Sequence, residues 1–284
     1  MKSFGSSLAL WAAIFLLLGF GESLLLPQDA RNNLGKRGLA RFVFRGETGR
    51  TDRDVEKAGG ISSRGFEKHA RGELSNEELE KGCSLFLHAQ GVSPTNPKYK
   101  ENTQYVSTSP NPADAITFAY DRGDPTKPGF MYVIAVDEKM IDVGATLGNL
   151  AFKSQTEYAA VGAIPHSQIV GHFRITAKDF DPGLSKKLQD GKYLHQLVDG
   201  KGVDGFQKNP RFDRKFLSRQ SSGAQPQLAG IPADNSAWNQ KPWNRKPLKD
   251  YKGKSVANFL GNFVWQKVCR RDQVCDQRFR LPHE

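Results

Sequence analysis

The sequence predicts an α+β domain with a mixed β-sheet core, peripheral helices and a loop-rich C-terminal region. Three observations carry that reading. Short aromatic and β-branched runs recur between turn signals, helical stretches fall among them without regular strand-helix alternation, and the character changes after about Ala177. In chain order, Phe42-Val43-Phe44 reads as a strand, and Ser75 to Lys81 as a helix with a serine start and Asn76, Glu77, Glu78 and Glu80 beside leucines. Tyr105-Val106-Ser107 is the next strand and Pro112 to Tyr120 a proline-led helix carrying Ala113, Ala115, Ile116 and Ala119. Met131 to Val136 and Ile169 to Ile175 are the longest strand candidates. Beyond Ala177, Ser185 to Gly205 and the Ser- and Gln-rich Gln220 to Gln227 read as a loop-rich wrap, and no internal repeat or heptad pattern occurs.

A length of 284 residues and 38% hydrophobic content suit one medium-sized domain with appendages. Residues 1–23 begin with Lys2, run through the apolar Leu8 to Phe20 and reach Gly21 and Ser23, which reads as a secretory signal peptide. A membrane anchor is the competing reading, but Glu22 closes a run shorter than the roughly 20 residues a bilayer demands. The chain is therefore expected to be secreted and soluble. Lys36-Arg37 is either a processing site ending a propeptide at 24–37 or a pair of solvated charges. The main domain is placed at 38–245 and a C-terminal tail at 246–284.

The formal charge of +11 favours acidic surfaces, whether nucleic acid, anionic lipid or an acidic protein, without choosing among them. Lys and Arg are spread along the chain, and neither zinc-finger spacing nor an aromatic RNA-binding signature is present. Of the three cysteines, Cys269 and Cys275 bracket a polar segment and suggest a small disulfide loop in an oxidising compartment. No second His or Cys pair stands near them, so a zinc site is disfavoured and no metal is assigned. Cys83, among Ser84-Leu85-Phe86-Leu87, reads as a buried thiol.

Taken singly, the chemistry-bearing residues have bland readings: Arg45 a surface charge, Ser107 an edge-strand hydroxyl, Glu157 a solvated carboxylate, His88 a helix-terminal ring. Their order is more specific. Phe44-Arg45-Gly46-Glu47-Thr48-Gly49-Arg50 puts an arginine before a glycine turn, and Gly59-Gly60-Ile61-Ser62-Ser63-Arg64-Gly65 follows. Then come Leu87-His88-Ala89, Tyr105-Val106-Ser107-Thr108-Ser109, Gln155-Thr156-Glu157-Tyr158 and Gly162 to Ile169. Leu228-Ala229-Gly230-Ile231-Pro232, Ala237-Trp238 and Lys241-Pro242-Trp243 complete the series. From about Arg41 to Trp243 this succession resembles the catalytic A subunits of the cholera toxin and heat-labile enterotoxin family of mono-ADP-ribosyltransferases.

The resemblance implies the ADP-ribosyltransferase toxin fold, a catalytic domain at 38–245, NAD as the consumed substrate and release of nicotinamide. Physical chemistry assigns the parts. A pyrophosphate suits the planar fork of Arg45, with Gly46 beside it. A breaking nicotinamide-ribose bond leaves an oxocarbenium-like cation that the fixed carboxylate of Glu157 can stabilise while it binds a ribose hydroxyl. Ser107 would hold that carboxylate, Thr108 and Ser109 would organise the strand end at the NAD site, and His88 would contact the adenosine side or a phosphate. Gly59 and Gly60 would permit a mobile loop that closes over the pocket.

One departure bears on the acceptor. Arginine-modifying members of the family carry a glutamate two residues before the catalytic one, and this chain has Gln155. A neutral amide can neither pair with a guanidinium nor take its proton, so the resemblance implies an acceptor other than arginine, either a host protein group or guanine in DNA. No ring of residues for a receptor-binding pentamer is evident, which leaves the delivery partner unassigned. The Cys269-Cys275 loop is similar to the disulfide that joins catalytic and linker segments in the family, and nicking at Arg270 or Arg271 is expected there. Two further functions stay open: a dedicated NAD glycohydrolase, and a secreted basic binding protein that has kept the fold and lost turnover. Trp238 and Trp243 are expected to be packing anchors and Tyr158 a core residue, while His166 and His172, on or near a strand and poorly partnered in sequence, are not assigned as ligands.

Overall fold

In the computed structural model, the described residues are 40–91, 101–120, 129–151, 156–176, 182–201 and 204–264. The signal peptide at 1–23, the Lys36-Arg37 pair, Gln155, and the Cys269 and Cys275 pair with its nicking site lie outside them.

The fold is α+β, built on antiparallel strands. Strand β1 (Phe42–Thr48) leads through helix α1 (Asp52–Lys57) into β2 (Gly60–Ser62), then α2 (Arg64–Ala70), α3 (Asn76–Gly82) and α4 (Leu85–Gln90). Strand β3 (Tyr105–Thr108) and helix α5 (Pro112–Ala119) precede β4 (Gly129–Ala135), β5 (Met140–Asp142) and α6 (Val143–Leu147). Next come β6 (Tyr158–Val161), β7 (Ala163–Pro165), β8 (Ile169–Ile175), α7 (Pro182–Leu188), α8 (Gly191–Asp199) and β9 (Phe206–Lys208), and α9 (Val256–Val264) closes the series. One sheet has the order β1-β4-β8-β9, a second β3-β6-β5, and β2 pairs with β7 as a ribbon.

The strand and helix expectations hold: β1, β3 and β4 run longer than the stretches read in sequence, β8 has the same bounds, α3 is shifted by one residue and α5 ends one residue earlier. Strand β4 is buried along its whole length, which is why its sequence is a continuous apolar run rather than an alternation. Helix α3 starts where Ser75 and Glu78 form a reciprocal capping box. One face of the large sheet packs Phe42, Phe44, Met131 and Phe173 against Ala115, Ile116 and Ala119 of α5. Its other face packs Val43, Tyr132, Ile134 and Ile169 against Val55, Ile61 and Ile164. A further cluster gathers Leu85, Tyr105, Ile141 and Leu147 with Leu228, Trp238, Trp243 and Leu260. Trp238 and Trp243 meet edge to face at 5.7 Å, the packing role expected of them. Cys83 is buried, and burial pushes its thiol up in pKa. Tyr158 is likewise buried, within β6.

Three local expectations are corrected. The segment from Ser185 to Gly205 is not a loop: α7 and α8 occupy most of it and bury Leu188, Leu197 and Val198 against the large sheet. Gly46 is not in a turn but inside β1, where a Cβ would meet the backbone of α5 at 2.1 Å from Ala115 O, so the glycine lets the helix lie on the strand. Gly59 and Gly60 form a packed helix-to-strand junction rather than a lid. Gly59 O accepts from His166 N at 2.8 Å, and Gly60, at φ 140°, approaches Ile164 O too closely for any side chain. The residues assigned to the tail from 246 onward include α9, whose first turn is gripped by Glu80: its carboxylate accepts from Val256 N at 2.5 Å and Ala257 N at 3.1 Å.

Candidate functional site

The two sheets meet where Phe44 and Ser109 exchange backbone hydrogen bonds of 2.7 and 2.9 Å. That junction sets the next residue on β1, Arg45, beside the end of β3. Its Nη1 donates to the carbonyl of Ser107 at 2.7 Å, and its Nε donates to Glu47 Oε1 at 2.5 Å. On the partner strand, Ser107 is opposite Ala159 and Thr108 opposite Tyr158, so Glu157 stands at the entrance of β6, level with the end of β3. Its backbone is fixed as well, since Glu157 O accepts from Val143 N at 3.0 Å. Helix α4 brings in His88 from the other side. Nε2 lies 2.8 Å from Glu157 Oε1 and 3.1 Å from Ser107 Oγ, and Nδ1 lies 2.8 Å from Thr103 Oγ1.

Four of the residues singled out in sequence are therefore brought together: Arg45, His88, Ser107 and Glu157. The Glu157 side chain is only 14% exposed. Burial pushes its carboxyl upward, yet the His88 ring, the Ser107 hydroxyl and the Arg45 guanidinium together outweigh burial and hold it below the usual carboxylate range. Glu157 is thus ionised at neutral pH. An ionised carboxylate only accepts, so Nε2 of His88 carries the hydrogen that points at it. On the other side of the ring, Nδ1 is hydrogen-bonded with the Thr103 hydroxyl, whose Oγ1 also accepts from Tyr105 N at 3.3 Å. This geometry excludes a serine nucleophile. A serine-histidine-acid relay needs serine and acid on opposite ring nitrogens, and here Ser107 and Glu157 share Nε2.

The charge layout is two-sided. Glu157 provides a buried anion. Next to it, Arg45 and Arg50 both face Glu47, at 2.5 and 3.7 Å, which leaves a net positive edge with the Arg45 side chain 26% exposed. Such a pair of regions can take a ligand with a cationic centre at one end and an anionic group at the other. Neither region gathers three His, Cys, Asp or Glu side chains able to hold a metal, among the described residues.

The remaining sequence candidates act at one remove. Thr108 Oγ1 donates to Tyr158 O at 2.7 Å. Ser109 Oγ donates to Asp114 Oδ2 at 2.7 Å and accepts from Asn111 N at 3.0 Å, tying the strand end to the start of α5. Both are buried, so they shape the site rather than line it. Gly46 contributes through helix packing alone. Sequence reasoning missed Thr103 and Glu47. Glu47 lay within the quoted arginine motif and its opposite charge was the signal, whereas nothing in the sequence pointed to Thr103.

A family model described as "Heat-labile enterotoxin alpha chain" matches residues 38–258. The A chain of heat-labile enterotoxin IIA from Escherichia coli is 28% identical over 72% of this chain and 69% of its own length. That of heat-labile enterotoxin IIB, also from Escherichia coli, is 29% identical over 72% of this chain and 68% of its own. A Vibrio cholerae protein named NAD(+)--arginine ADP-ribosyltransferase Chelt is 25% identical over 68% of this chain but only 28% of its own length. Among solved structures, a heat-labile enterotoxin double mutant superposes with a TM-score of 0.53 at 22% identity, covering 82% of this chain and 96% of the other, which shows a shared fold.

Proposed function

The chain belongs to the heat-labile enterotoxin alpha chain family, and from that membership we propose that it is a secreted mono-ADP-ribosyltransferase that cleaves NAD and passes ADP-ribose to a macromolecular acceptor. The observation that supports this most directly is the buried, ionised Glu157, gripped by His88 and Ser107 and faced by Arg45. NAD supplies the ADP-ribosyl group and a nicotinamide leaving group. Glu157 accepts a hydrogen bond from a ribose hydroxyl and stabilises the positive charge that develops as nicotinamide departs. Its burial strengthens that interaction, because little water competes for the carboxylate.

Arg45 turns its exposed edge to the pyrophosphate, where a guanidinium fork matches phosphate oxygens better than an ammonium would. Its other edge is spent on Ser107 O and Glu47, which fixes its direction before substrate arrives. His88 serves as the clamp on Glu157 rather than as a contact to adenosine, since its Nε2 hydrogen is committed to the carboxylate. The acceptor is a group other than the arginine guanidinium, as Gln155 two residues before Glu157 implies: guanine in DNA or a host protein side chain. Water takes the acceptor's place slowly, so NAD hydrolysis accompanies transfer.

The test is nicotinamide release from NAD by the purified chain beside a Glu157→Gln variant. The variant keeps shape and loses charge, and turnover should fall by about 100-fold or more. Equal turnover in the two proteins would overturn the reading. Labelled NAD offered with DNA or with cell protein then separates acceptors, and hydrolysis unaffected by either would identify a dedicated glycohydrolase.

A further inference from the structure

Several cations of the described surface have anionic neighbours: Arg71 faces Glu73, Lys81 faces Glu77, and Arg214 faces Asp199. The segment from Lys241 to Lys254 differs in how densely its cations follow one another. It carries Lys241, Arg245, Lys246, Lys249, Lys252 and Lys254 against Asp250 alone, and all six cations are exposed. None of the six takes part in an ion pair among the described residues.

The segment is a shaped strap. Trp238 and Trp243 anchor it in the core, with the Trp238 indole donating to Pro232 O at 2.9 Å. Between the anchors and α9, a chain of turn bonds sets its form: Asn244 N to Gln240 O at 2.9 Å, Lys249 N to Arg245 O at 2.9 Å, and Lys252 N to Lys249 O at 3.2 Å. A 3₁₀ turn spans Leu248–Tyr251. Like charges therefore stand one turn apart, Arg245 beside Lys249 and Lys249 beside Lys252, where they repel one another. An anion that bridged them would remove that repulsion.

We infer that Lys241–Lys254 docks the phosphate backbone of a nucleic acid. Six exposed cations in close succession with a single acid among them complement a duplex strand, which carries one phosphate per ~3.4 Å of advance. Exposed Gln240 and Asn244 add neutral donors of the kind that position a backbone. A membrane surface fits less well. The strap presents no large apolar side chain to enter a bilayer: Trp238 and Trp243 are buried, and Tyr251 packs edge to face on Phe259 at 5.8 Å. Docking does not depend on the transferase reading, because it is measured without NAD.

The experiment is fluorescence anisotropy of a labelled DNA duplex titrated with the full chain across a range of salt. It compares Lys249→Gln/Lys252→Gln with Lys186→Gln/Lys187→Gln, which removes the same charge from exposed positions of α7. The strap variant should bind about tenfold or more weakly and lower the slope of log Kd against log salt by about 1.8, while the α7 variant changes far less. Equal weakening in the two variants would show a diffuse charge effect and overturn the proposal. So would a wild-type chain that binds vesicles of anionic lipid but not the duplex. Unchanged circular-dichroism melts in both variants exclude misfolding as the cause of a loss.

Discussion

Around Glu157 the charged groups are partnered within hydrogen-bonding reach, His88 at 2.8 Å on the carboxylate and Glu47 at 2.5 Å on Arg45. Along Lys241–Lys254, exposed cations follow one another with a single acid among them. The difference follows from water. A buried charge must be compensated by the protein or it neutralises, whereas an exposed one is compensated by solvent and salt at little cost to the fold. The first region therefore carries its electrostatics with it, and the second depends on what surrounds it.

The largest effect should come from the platform under the strap rather than from either set of charges. Trp238→Ala removes a buried indole from a cluster shared with α4 and α9, and should cost about 3–5 kcal/mol in denaturant unfolding. Loss of less than about 1 kcal/mol would mean that the strap is not anchored there. Next, Arg45→Lys keeps the charge and removes the fork. If geometry matters more than charge beside Glu157, kcat/KM for NAD should fall by about 10–100-fold, with stability changed by less than about 1 kcal/mol. A variant as active as wild type would make Arg45 a point charge like those of the strap.

Acid should separate the regions further. Glu157 has a folded pKa below its ordinary value of 4.5, so the stability that its ionisation contributes is present above pH 4.5 and is lost as pH falls through the folded value. The thermal midpoint of wild type should accordingly drop more steeply below about pH 4.5 than that of Glu157→Gln. Parallel curves would show that the carboxylate gains nothing from its partners. The smallest effect belongs to the strap. Lys249→Gln should leave stability within about 0.5 kcal/mol, with any gain confined to low salt where repulsion from Arg245 and Lys252 is unscreened.

How far the sequence revealed this arrangement depends on the length of the signals. Strands β4 and β8 were legible because Phe130 to Ala135 is a continuous apolar run and Ile169, Val170, Phe173 and Ile175 supply apolar and β-branched residues over a comparable length. Strands β5 and β7 span three residues and borrow their structure from neighbours, so no local pattern announces them. Helices α7 and α8 were hidden because Gly191 and Gly200, which lie at the ends of α8, read as loop punctuation, and charged residues diluted the spacing of Leu188, Leu194 and Leu197. At the candidate site, the order of motifs singled out Arg45, His88, Ser107 and Glu157, which the fold brings close to one another. What it could not show is that His88 gives one nitrogen to both Glu157 and Ser107, since that follows from the angle at which α4 meets the β3-β6 pair. The basic strap was overlooked for a simpler reason: prolines, Trp243 and Leu248 interrupt its cations, and the interruptions lie largely in turns.

The bond between Phe44 and Ser109 that joins the two sheets also has a kinetic meaning. Arg45 reaches Ser107 across 62 residues of chain, and His88 reaches Glu157 across 69. Loops of that length close at an entropic cost and with slow search, so contacts between distant segments form after local helices and turns. No partly folded intermediate that lacks the inter-sheet bond can hold the four side chains together. Under the proposed function, regain of NAD cleavage during refolding would then lag behind regain of helical signal, and that turnover would serve as the clock for completion of the fold.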